Sequence, residues 1–173
     1  MTLGEKNVPG NDQSHYHQPQ DVAFLPDGKF LIADGLGEQL PIYDNGNGNN
    51  YAGTYTNGST IIDLPFIFTF YGIDYDQIVV NTNGWISFGD FLMYSFRNYP
   101  IPGAGGPSPM VAAFWDDLKT GGGGNVYYYE TEGYVVIQWD DLRTFDNNGQ
   151  YHETFEIILY NKDLYSPTIT GDS

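Results

Sequence analysis

Carboxylates are the side chains best suited to chemistry in this sequence, and they cluster. Asp116-Asp117 and Asp140-Asp141 each follow a tryptophan, and Asp146 opens the run Asp146-Asn147-Asn148-Gly149. Two carboxylates at a defined separation can divide the acid and base work of glycoside cleavage. The same hard oxygens on a tight turn can instead hold Ca2+, so Asp140, Asp141, Asp146 and Asn148 form a candidate calcium set. The run lacks the glutamate that closes an EF-hand loop. A plainer role is structural, with each Asp closing a turn onto backbone N–H groups. His15 and His17 would share one face of a strand, as a metal pair would, but no third ligand is indicated and they sit in a polar arm. Gly121–Gly124 is not followed by the Lys and Ser/Thr of a phosphate loop, and there is no Gly-x-Ser-x-Gly. The remaining chemistry is aromatic. Tyr127, Tyr128, Tyr129 and Tyr134 offer apolar faces with polar edges, suited to stacking on sugars, and strand alternation would assign about half of them to a core.

The elements that must carry these groups read as strands. Leu64 to Gly72 is an apolar run with a period-two pattern. Gln77–Thr82 and Trp85–Phe88 flank Asn83-Gly84, a strong short hairpin signal because both residues accept φ > 0. A two-residue loop there would set Thr82 opposite Trp85 and Val79 opposite Phe88. Val79, Ile86, Phe88 and Asn81 would then share one face, with Val80 and Trp85 on the other. Further strands are expected at Phe91–Phe96, Met110–Phe114, Val126–Tyr129, Tyr134–Trp139 and Phe155–Tyr160. Phe155, Ile157 and Leu159 form the core face of the last strand.

The 173 residues suffice for one domain with a real core. Aromatics make up 17% of the chain, and 22 Gly and 10 Pro punctuate it. No window repeats apolar residues at helical spacing over three turns. The fold class expected is all-β, an antiparallel β-sandwich of jelly-roll type with an N-terminal β-hairpin extension. The expected divisions are a polar arm over 1–20, a hairpin and Gly/Asn-rich loop over 21–60, and the sandwich over 61–173. Six Lys and Arg against 22 Asp and Glu give a formal charge of −16. That charge repels phosphate backbones and anionic membranes, so no nucleic acid partner is expected. No run is long and apolar enough to span a membrane, so no membrane insertion is expected. Absence of Cys excludes disulfides and zinc-thiolate sites. Asn57-Gly58-Ser59 is a glycosylation sequon, relevant only in a eukaryotic host.

Two resemblances stand on quoted residues. The segment 20–44, with Asp21-Val22-Ala23-Phe24, Pro26-Asp27-Gly28 and Phe30-Leu31-Ile32-Ala33-Asp34, resembles a single NHL propeller repeat. One unit cannot close a propeller, so a hairpin is the expected structure. Further on, LPFIFTFYG (64–72), VNTNGWISFGD (80–90), MVAAFWDDL (110–118), GGNVYYYE (123–130), YVVIQWDDL (134–142) and ETFEIILYN (153–161) follow in order. This series resembles a β-sandwich module of large secreted and cell-surface bacterial proteins, and distantly the nidogen-like extracellular domain. The resemblance implies an extracellular or cell-surface location and a non-catalytic accessory role.

In such modules one more strand follows ILYN, and here the chain stops where it should begin. The resemblance therefore implies an open edge, a costly feature that is normally covered. The expected cover is the segment 21–34, with Val22, Phe24, Phe30 and Ile32 as its assembly residues. Donated to the next subunit, it would make a head-to-tail fibre of copies of this chain. The function expected is thus a structural module that self-assembles by β-strand addition or mediates adhesion. The alternative is a calcium-assisted carbohydrate-binding module for surface glycans, and the third reading an accessory domain of a secreted hydrolase.

Overall fold

A computed structural model describes residues 21–24, 30–33, 38–42, 58–92, 97–101, 109–121, 123–145 and 151–165. The strands are β1 (Asp21–Phe24), β2 (Phe30–Ala33), β3 (Glu38–Gln39), β4 (Ser59–Phe70), β5 (Ile73–Asn81), β6 (Trp85–Phe88), β7 (Met110–Ala112), β8 (Leu118–Lys119), β9 (Asn125–Glu130), β10 (Tyr134–Thr144) and β11 (His152–Tyr160). Among the described residues no helix is long and apolar enough to cross a membrane. The chain divides into two compact units, residues 1–38 and 39–173. In the first, β1 and β2 pair antiparallel, with Val22 opposite Ile32 and Phe24 opposite Phe30. The expected hairpin is present, and these four residues form two of its cross-strand pairs.

The second unit holds two antiparallel sheets. One runs β4-β5-β6-β7; the other runs β11-β10-β9-β3, with β8 also paired to β10. Their inner faces share one core. Ile78, Val80, Ile86 and Phe88 of the first sheet pack with Val126, Tyr128, Val135, Ile137, Trp139, Ile157 and Leu159 of the second. That is the sandwich arrangement, in which alternate residues of each strand point inward. Phe155 packs against the same core and stacks on Trp139 at 5.0 Å, so the face expected for the last strand is correct. Leu40 and Ile42, which the sequence assigned to the extension, are buried in this core.

The hairpin register differs from the expectation by one residue. Asn81 pairs with Trp85, Val80 with Ile86 and Val79 with Ser87. The loop therefore has three residues, Thr82, Asn83 and Gly84, and only Gly84 has positive φ, at 79°. A type I turn closed by a left-handed glycine produces this geometry, whereas a two-residue I′ turn needs φ > 0 at both positions. A one-residue slip moves every side chain to the other face. The slip brings Ile78 and Val80, in place of Val79 and Asn81, onto the face of Ile86 and Phe88, while Trp85 stays on the other face, as expected, and joins Met110 and Trp115 in a second cluster.

The reason for the slip lies in the loop's buried polar groups. Asn81 Oδ1 accepts from the Asn83 N–H at 2.8 Å, and Asn83 Oδ1 accepts from the Leu118 N–H at 2.9 Å. The indole Nε1 of Trp139 donates to the Asn81 carbonyl at 2.8 Å, tying one sheet to the other. A Cβ on Gly84 would lie 1.8 Å from the Phe114 carbonyl oxygen, so the loop is pressed against neighbouring backbone.

The two-residue turn occurs instead at Tyr71-Gly72, between Phe70 and Ile73, with φ of 48° and 80°. Positive φ at both residues is the I′ signature. Within β4 the ladder shifts between Asp63 and Phe68, around Pro65, which has no N–H to give. Phe91 and Leu92 are not in a strand, against expectation, and Met93–Phe96 lie outside the described residues.

Candidate functional site

The register of the second sheet sorts the tyrosines. β10 pairs with β9 through Ile137 opposite Tyr128, Val136 opposite Tyr129 and Gln138 opposite Tyr127. Ile137 faces the core, so Tyr128 does too; it is only 9% exposed, and its hydroxyl donates to Glu130 Oε2 at 2.7 Å. Burial, then the Glu130 carboxylate, push its phenol well above the ordinary tyrosine value. Tyr128 is therefore excluded from any sugar platform, because strand alternation turns it inward. Tyr127, Tyr129 and Tyr134 lie on the opposite, outer face.

That face holds more than the sequence reading named. Tyr134 pairs with Tyr160 across β10 and β11, and the Tyr160 ring meets Tyr165 edge-on at 5.3 Å. The Tyr129 and Tyr134 rings are 6.3 Å apart. Burial and then the neighbouring Tyr129, Tyr165 and Tyr160 hydroxyls push the Tyr134 phenol up to about 12. Val136 lies between Tyr129 and Ile158, and Gln138 between Tyr127 and Glu156; they are 6% and 4% exposed. The Gln138 Nε2 is buried without a hydrogen-bond partner. Tyr160 could have been inferred by closing the β10–β11 hairpin on paper; Tyr165 follows β11 in a turn and left no periodic signal.

The carboxylates fall at a β-bulge. The β10–β11 register shifts between Trp139 and Leu142, leaving Asp140 and Asp141 against Thr154. Asp141 has φ of 55°, a left-handed conformation that Asp tolerates better than most residues. Its N–H donates to Thr154 Oγ1 at 3.0 Å, and its Oδ1 lies 2.6 Å from His152 Nδ1. Burial raises the Asp140 carboxyl, partly offset by the Thr154 hydroxyl and reinforced by Asp141. Asp116 Oδ1 accepts from the Asp117 N–H at 2.8 Å, the turn-closing role expected of such residues. Asp146, Asn148, His15 and His17 lie outside the described residues. Among the described residues no group of three or more His, Asp or Glu side chains is arranged to hold a metal ion.

The sheet edges differ in exposure to pairing. β4 is broken by its Pro65 irregularity, β7 has three residues and β3 two. β11 has nine residues, His152–Tyr160, without Pro or Lys, and among the described residues β10 is its one paired strand.

Two antiparallel sheets packed on one core, with tyrosines on the outer face of the second, define an all-β sandwich module. The family is shown by comparison: the NIDO-related family model matches residues 41–163, and the chain belongs to that family. Alpha-tectorin of Mus musculus is 28% identical over 111 residues, and alpha-tectorin of Homo sapiens 29% over 111 residues. Each match covers 59% of this chain and 5% of the relative, so the chain spans a small fraction of those proteins. The probable peptidyl-alpha-hydroxyglycine alpha-amidating lyase pgal-1 of Caenorhabditis elegans is 54% identical over 35 residues, 20% of this chain and 10% of that protein. No solved structure matches. The nidogen-like half of the sequence resemblance is thus supported, while the bacterial attribution and the NHL repeat gain no support.

Proposed function

We propose that this chain is a non-catalytic extracellular structural module that assembles copy to copy by β-strand addition. Membership of the NIDO-related family and likeness to the alpha-tectorins support the extracellular, structural part. The observation that carries the assembly reading is the β11 edge. Natural sheets protect edges by shortness, Pro, bulges or charge, above all Lys; β11 has nine residues with no Pro, no Lys and no bulge of its own, and its charges are Glu153 and Glu156. A donor is available in the same chain. A two-stranded hairpin such as β1–β2 is marginal alone in water and gains by joining a larger sheet. Donation from one copy to the next is head-to-tail and produces a filament where the rotation does not close.

Full-length chain and chain lacking residues 1–34 should therefore differ in sedimentation and in the electron microscope. The full chain is expected to form oligomers with slow hydrogen exchange at the β11 amides. The deletion is expected to remain monomeric with fast exchange there, and a peptide of residues 20–34 should restore protection. A monomeric full chain, or β11 amides equally protected in both, would refute the reading.

A further inference from the structure

The outer face of the second sheet has a composition that strand addition does not require. Register places Tyr134 beside Tyr160, then Tyr129, Val136 and Ile158 in one row, then Tyr127, Gln138 and Glu156 in the next. Tyr165 lies against Tyr160, and the row of Tyr127 and Glu156 holds the Gln138 amide, which is 4% exposed and whose Nε2 has no partner. Native proteins seldom leave a buried amide donor unpaired, and where they do the exception calls for an explanation. We propose that this face binds a neutral, hydroxyl-rich polysaccharide, with sugar rings stacked on the tyrosines and, once the side chains over it turn aside, a sugar hydroxyl accepting from Gln138.

Charge and geometry select that ligand class. These rows hold no Lys or Arg, and the chain carries −16, so sulfated, phosphorylated or uronic polymers are repelled. Phenol rings present an apolar face together with a polar edge, the combination a pyranose requires. Tyr129, 43% exposed, is the most accessible ring described in these rows. The Tyr134 phenol, pushed up to about 12, stays protonated and able to donate at any physiological pH. This inference is independent of the assembly reading, since it uses the sheet's face and not its edge.

The full chain should be run in native gels containing galactomannan, hydroxyethyl cellulose, xylan or laminarin, with heparin as the anionic control. At least one neutral polymer is expected to retard it, and heparin is not. Combined Tyr127→Ala and Tyr129→Ala should weaken the interaction at least about tenfold, each lost stacking ring counting for roughly a factor of three to ten. Tyr71→Ala, in the β4–β5 turn of the other sheet, should bind as the parent does. Gln138→Leu gives the sharper result. It should weaken binding severalfold while leaving the melting temperature unchanged or raised, because it removes an unsatisfied buried amide. No retardation by any neutral polymer, retardation by heparin alone, or retention unchanged in the tyrosine double variant would overturn the proposal. Loss of binding in Gln138→Leu accompanied by a lowered melting temperature would count against the amide's role.

Discussion

Tyr71 and Gly84 both have left-handed backbone, with opposite consequences for substitution. Tyr71 is 85% exposed and meets Phe70 edge-on at 4.7 Å. A bulky residue in that conformation is strained, by about 1–2 kcal/mol. Tyr71→Asn should therefore stabilise by roughly 1 kcal/mol, Asn being tolerated at the first position of an I′ turn. Gly84→Val should instead prevent stable folding, since its Cβ would meet the Phe114 carbonyl at 1.8 Å as well as the φ penalty. Thermal melts of the two variants beside the parent check both signs. The Gly84 requirement was legible from Asn-Gly alone. The register was not, because the slip is decided by Asn81 and Asn83, whose partners Trp139 and Leu118 are distant in sequence.

At the scale of elements, the β10 bulge sets the local electrostatics. It draws Asp140 and Asp141 to one side of the ladder against Thr154, and burial raises the Asp140 carboxyl. A raised carboxyl favours folding while protonated. That contribution is complete below the unfolded value, near 3.9, and is lost as pH rises through the folded one. Asp140→Asn should accordingly melt above the parent at pH 7, and the two should converge below about pH 4. Urea melts across that range would show it; a constant difference at all pH values would count against burial as the cause. The strands β9, β10 and β11 were legible from alternation, including the Phe155, Ile157 and Leu159 face. The bulge was not, since Trp139-Asp140-Asp141-Leu142 carries no Gly or Pro to mark it, and the ladder must be closed before the extra residue appears.

For the whole molecule, the division at residues 38 and 39 predicts that 39–173 folds by itself. Its core draws on both sheets and on Leu40 and Ile42, so a fragment beginning at Ser59 should be less stable than one beginning at Gln39. Circular dichroism melts of the two fragments would rank them, and equal midpoints would show that Leu40 and Ile42 contribute little.

The sequence by itself determined the all-β class, the presence of most strands, the acidic character and the Gly-dependent hairpin, because period-two patterning, turn chemistry and charge are local or additive properties. It also carried the nidogen-like resemblance, since ordered motifs survive as strings. Only the tertiary structure decided that Tyr128 belongs to the core, that Val79 turns away from Ile86 and Phe88, and that Tyr160, Tyr165 and an orphaned Gln138 amide share a face with Tyr127, Tyr129 and Tyr134. Those facts depend on which strand pairs with which, and in what register. Pairing is settled by contacts between residues far apart in the chain, where each one-residue choice reverses every face.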